Sequence, residues 1–185
     1  MKHVKKVSQR ARVITGAALA ALVIGGFGAW SAGATAPATP AARKTTASGG
    51  NLTRSTHLTV AAATDAAEAV LDAAKKENQR VSVAVVDRNG NTLVILRGDG
   101  AGPQSYESAM KKAYTAVSWN APTSELVKRL DGAPTLKDIP GTLFLAGGAP
   151  VTAKNAPVAG IGVAGAPSGD LDEKFARAGV AELAD

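Results

Sequence analysis

No cysteine occurs in the 185 residues, which excludes disulfides, a reactive thiol and a thiol-linked lipid anchor. Stability must come from a packed core, and the segment of about 125 residues that has core-like patterning is near the commonest size for one self-sufficient core. No two arginines are adjacent near the N-terminus, because Arg10-Ala11-Arg12 is interrupted, so a twin-arginine export signal is unsupported. Glycine clusters occur at Gly147-Gly148 and from Gly160 to Gly165. None has GxGxxG spacing between a strand and a helix and no Walker lysine follows, which excludes nucleotide binding.

Lys2, Lys5, Lys6, Arg10 and Arg12 precede an uncharged stretch from Val13 to Ala42, most apolar between Ile14 and Trp30. Charge followed by an apolar run is the order of a secretory signal. Ala32-Gly33-Ala34 offers a small-residue cleavage site, so residues 1–34 are expected to be removed and the product to act outside the cytoplasm. An uncleaved membrane anchor is the other reading of the same run. The partition also reinterprets the pI near 9.7. Five of the six net positive charges precede Ala34, which leaves the remainder one charge from neutral. No basic face for nucleic acid survives that processing.

Residues 35–57 are rich in Pro, Ala, Thr, Ser and Gly with almost no large apolar side chain, the composition of a disordered linker. From Leu58, small apolar residues (Ala62, Ala66, Ala69, Val70, Ala73, Ala74) recur at helical spacing and predict a helix with a narrow apolar face. Two β-rich runs, 81–86 and 92–96, flank Asp87-Arg88-Asn89-Gly90-Asn91 and predict a hairpin. Further helices are expected at 105–119, with Ala109, Met110, Ala113, Ala116 and Val117 inward, and at 123–130. Short strands are expected at 143–146, 151–152 and 158–164, and a last helix from about 168 to 183 with Asp170 and Glu173 as cap and capping box. Hairpins between helices argue for an α+β domain spanning 58–185, an antiparallel sheet flanked by helices, and against a doubly wound parallel fold.

Three segments carry a family likeness: VAVVDRNGNTLVILR at 83–97, KKAYTA at 111–116, and GGAPV, GIGVAGA and DEKFARAG between Gly147 and Gly179. Together they resemble the GlcG/HbpS family over essentially the whole of the ordered domain, and the leader and linker resemble its exported branch. The resemblance implies a compact homo-oligomer, an octamer, that binds haem, with a membrane sensor histidine kinase of a two-component system as partner. Haem degradation with release of iron is the alternative activity, weakened by the lack of a clear distal acid or base. A structural or iron-binding oligomer is a third reading.

Haem iron is usually held by His, Cys, Met or Tyr, and beyond residue 34 those types are limited to His57, Tyr106, Met110 and Tyr114. By its place in KKAYTA, Thr115 resembles the family's iron-facing threonine. A hydroxyl is a weak neutral ligand, suited to reversible sensing. On a helix Ser108, Lys111, Lys112, Thr115 and Trp119 lie three to four residues apart, so the two lysines are candidates for the haem propionates and Trp119 for packing on the macrocycle. Solvated lysines and a packed Tyr114 are the plain alternatives, and gap-filling is the plain role for Met110. Asp65, Glu68 and Asp72 form a carboxylate stripe suited to iron or another hard cation. Lys75 and Lys76, one turn on, make ordinary helix ion pairs the competing explanation. Asp172 and Glu173 read as favourable charges at the start of the last helix, and Asp87 as a turn residue.

Overall fold

The computed structural model describes residues 46–184. The leader, 1–34, and the first part of the linker therefore lie outside the described residues. Residues 46–59 contain one short 3₁₀ turn at Gly49–Asn51 and are exposed apart from half-buried Leu58. Regular structure then follows as α1 (Val60–Lys76), β1 (Ser82–Asp87), β2 (Thr92–Arg97), α2 (Ser105–Trp119), α3 (Thr123–Val127), β3 (Gly148–Ala153), β4 (Ala156–Ala164) and α4 (Gly169–Glu182). The strands form one fully antiparallel sheet in the order β2-β1-β4-β3, so the expected α+β architecture is the observed one.

Alternation along the central strands sorts the two faces. Val83 and Val85 of β1 pair with Val163 and Ile161 of β4, and these four pack with Ala63, Ala66, Ala67 and Val70 of α1 and Phe175 and Ala176 of α4. On the opposite face Ala84 and Val86 pair with Gly162 and Gly160 and meet Ala109, Ala113 and Val117 of α2. Every residue of β1 is buried as a result. The glycines of GIGVAG serve this closure. A Cβ on Gly160 or Gly162 would overlap the carbonyl oxygens of Ala113 or Ala109, so α2 lies directly on strand backbone. Their close approach is to a helix of the same chain.

Several boundaries differ from the sequence expectation for identifiable reasons. α1 turns Ala63, Ala66, Ala67, Val70 and Ala74 fully inward, while Ala62, Ala69 and Ala73 sit at the margins of that face. α3 tightens into a 3₁₀ turn at Lys128–Asp131. Residues 143–146 join no strand; the Leu143 N–H bonds the Thr115 hydroxyl and the Leu145 N–H bonds the Leu143 carbonyl. The cap of α4 is Ser168, whose Oγ accepts from the Leu171 N–H at 3.2 Å; Asp170 and Glu173 do not form the expected box. At the β1–β2 turn only Gly90 takes a positive φ, 87°. Asp87 holds the turn instead, with Oδ1 accepting from the N–H groups of Asn89 and Asn91, both at 2.8 Å.

Replacing Gly162 by alanine is expected to destabilise the protein by about 3 kcal/mol or more, or to prevent folding, because helix backbone has nowhere to retreat. Gly132→Ala, where nothing lies within 4 Å of the added methyl, should leave the thermal midpoint nearly unchanged. Comparing the two melting curves checks the packing.

Candidate functional site

α2 carries most of the candidate residues, and the structure divides them between three environments. Thr115 is fully buried. Its hydroxyl donates to the Lys111 carbonyl at 2.7 Å and accepts from the Leu143 N–H at 2.8 Å, so it ties the 139–146 segment to the helix. Trp119 meets Phe144 edge to face, with centroids 5.2 Å apart, in a small cluster with Ala121 and Leu126. Met110 is half-buried against Ala84 and Val86, with Sδ 3.8 Å from the Thr92 hydroxyl. Lys111 is ion-paired with Glu107 at 2.6 Å on the solvent face. Tyr114, 36% exposed, lies between Gly90 and Gly141. Of the side chains that ordinarily ligate haem iron, those exposed among the described residues are His57, Tyr106 and Tyr114.

Lys112 is not the solvent-facing cation that its position in KKAYTA suggested. Its side chain is 2% exposed, and Nζ donates to the Val163 carbonyl at 2.9 Å and to Asp172 Oδ2 at 2.7 Å. Asp172 Oδ1 accepts from the Ala166 N–H at 2.9 Å. One ammonium therefore joins α2, the end of β4 and the first turn of α4. Burial pushes the Asp172 carboxyl above its ordinary range, although Lys112 and the N–H groups of Ala166 and Gly165 pull against it. Gly147, at φ 128°, has no room for a side chain here, since a Cβ would stand 2.6 Å from Nζ. Neighbouring Glu173 also leaves its own helix. It accepts from the Ser124 N–H and hydroxyl at 3.0 and 2.8 Å and so caps α3, with Arg177 as ion-pair partner at 2.8 Å. Burial opposes its charge, yet Arg177 and Ser124 together leave its pKa below the ordinary value.

These tertiary roles of Lys112 and Asp172 were not read from the sequence, where sixty residues separate them. One local signal was present: Lys112 falls three residues after Ala109 and four before Ala116, on the buried stripe of α2. A lysine there requires a partner.

Asp65, Glu68 and Asp72 line a shallow depression on α1 together with Glu182. The helix ion pairs expected from Lys75 and Lys76 do not form, since the ion pairs among the described residues involve neither. Nor do the described residues hold any group of three or more His, Cys, Asp or Glu side chains placed to bind a metal ion. The stripe is a set of exposed carboxylates.

The family model described as haem degrading protein HbpS-like matches residues 58–181. The chain belongs to the HbpS-like family. A crystal structure of a double mutant of Streptomyces reticuli HbpS is 76% identical and superposes with a TM-score of 0.77, covering 79% of this chain and all of that one. The crystal structure of a PduOC:heme complex is 25% identical with a TM-score of 0.64, covering 70% of this chain and 96% of that one. An uncharacterised 15.0 kDa protein of Citrobacter freundii is 33% identical over 113 residues, 58% of this chain and 80% of that protein. The HbpS-like match runs from just before α1 to the last turn of α4 and so includes both the sheet and the Lys112–Asp172 pair.

Lys112→Met is expected to cost about 3–5 kcal/mol, because it strands the Asp172 carboxylate in the interior. Adding Asp172→Leu should recover much of that loss in a denaturant titration. Thr115→Ala removes both hydroxyl bonds and should cost about 1–3 kcal/mol, whereas Thr115→Ser, which keeps the hydroxyl, should unfold at a denaturant midpoint much closer to the parent.

Proposed function

We propose that this protein binds haem outside the cytoplasm as a homo-oligomer, an octamer, and serves as the haem- or redox-sensing accessory of a membrane sensor histidine kinase. The observation that carries the haem reading is the HbpS-like match across every helix and strand of the domain. A fold neighbour in complex with haem supports it. Export rests on the basic residues followed by the apolar run before Ala34. The octamer and the kinase rest on the likeness of VAVVDRNGNTLVILR, KKAYTA and the glycine-rich segments to the exported branch of the family.

For the iron, geometry favours the exposed phenol of Tyr114 over Thr115, whose buried hydroxyl already donates to the Lys111 carbonyl and accepts from the Leu143 N–H. Bound haem would bring the iron chemistry. The protein's contribution is a rigid, cysteine-free surface on which an oxygen ligand is held between the β1–β2 turn and the 139–146 segment. Haem degradation is the second reading, favoured by the description of the family.

A haemin titration followed by Soret absorbance, with and without ascorbate, tests these readings. A saturable band that survives the reductant, and is shifted or weakened by Tyr114→Phe, is the expected result. Absence of a saturable band overturns haem binding, and bleaching with release of iron transfers the assignment to the degrading enzyme.

A further inference from the structure

The ring of Tyr114 stands between two turns from distant parts of the chain, and each turn meets it with a glycine at positive φ. The first turn, 87–90, closes through the Gly90 N–H, which donates to the Asp87 carbonyl at 3.0 Å. Gly90 has φ 87°, the left-handed residue of a three-residue hairpin loop, and a Cβ on it would stand 2.8 Å from Cε2 of Tyr114. The second turn, 139–142, closes through the Thr142 N–H and hydroxyl, which donate to the Ile139 carbonyl at 3.3 and 2.8 Å. Pro140 and Gly141, the latter at φ 81°, are the central residues a type II turn favours. A Cβ on Gly141 would lie 3.7 Å from Cε1, on the other edge of the ring. Asp87 holds the closer of these two walls. Its Oδ1 accepts from the N–H groups of Asn89 and Asn91, both at 2.8 Å, and its Oδ2 accepts from Asn91 Nδ2 at 3.0 Å.

We propose that Asp87 is a positioning residue of the haem site: by fixing the 87–91 turn it keeps Gly90 against Tyr114 and so sets the direction in which the phenol is offered to iron. The inference rests on Tyr114 as the iron ligand and deepens that reading. Tyr114 is 36% exposed, and an exposed side chain ordinarily exchanges between rotamers. A ring already held in place loses less freedom when a ligand engages it. Without the Asp87 bonds the turn loosens, one edge of the ring loses its support, and that advantage goes with it. An asparagine at 87 keeps an oxygen that can accept from the two backbone donors, whereas an alanine keeps none. Asp87 therefore acts on haem only through Tyr114.

The test titrates haemin into the full chain, into Asp87→Ala, Asp87→Asn and Tyr114→Phe, and into the variant carrying both Asp87→Ala and Tyr114→Phe. Binding is read from Soret absorbance, and the ligand from the phenolate-to-iron charge-transfer band. Asp87→Ala is expected to lose that band and to bind haemin about tenfold more weakly, and Asp87→Asn to keep both. The double variant should bind no more weakly than Tyr114→Phe alone, because two residues that act as one unit are not additive. Gly90→Asn is an independent probe that does not depend on Asp87→Ala folding. Asparagine tolerates positive φ, and its Cβ displaces the ring while leaving the Asp87 bonds in place, so the band should again be lost. If Asp87→Ala or Gly90→Asn keeps the band, or if Asp87→Ala weakens binding as much in the Tyr114→Phe background as in the parent, the positioning role falls while haem binding stands. If Tyr114→Phe has the parent's spectrum and affinity, Tyr114 falls as the ligand and the role of Asp87 with it. Absence of saturable binding to the parent overturns haem binding itself.

Discussion

Three elements of this fold meet at one buried ion pair. The ammonium of Lys112 leaves α2, reaches the end of β4 and ends on Asp172 in the first turn of α4, with Gly147 kept bare to admit it. Charges so deeply buried are tolerated only when their hydrogen bonds are filled, and here the carboxylate also accepts from the backbone after β4. Such a pair contributes less to net stability than its Coulomb attraction suggests. It does specify geometry: a shift of α2 relative to α4 would strand one charge, so the layers on either side of the sheet are held in register.

The close approach of α2 to the sheet follows the same logic. Gly160 and Gly162 let the helix backbone rest on β4, and the alanines at 109 and 113 complete a thin interface. The opposite face is thicker, filled by Val, Ile and Phe beneath α1 and α4. Thr115 then fixes what covers α2 from outside by holding Leu143. A core built from such small residues leaves little tolerance for added volume.

The interior of α2 is structural, whereas its exposed side carries Tyr114. The ring is bounded by Gly90 of the β1–β2 turn and Gly141 of the 139–146 segment, so two loops far apart in sequence frame one side chain.

Patterning in the sequence determined the main helices, the first hairpin and the antiparallel α+β class, because two-residue and helical periodicities are local properties, although the strand it placed at 143–146 does not form. It also yielded the family likeness, carried by segments in β1, β2, α2, β3, β4 and α4. Only the tertiary structure decided which polar residues are spent in the interior. Lys112, Thr115, Asp172 and Glu173 look like helix-surface or ligand residues in one dimension, yet their partners lie 28 to 60 residues away along the chain. Nor does linear spacing reveal that Gly90 and Gly141 face one tyrosine ring, since their turns converge on α2 only once the chain has folded. A residue's role depends on what folding brings beside it, and that is settled by three-dimensional proximity.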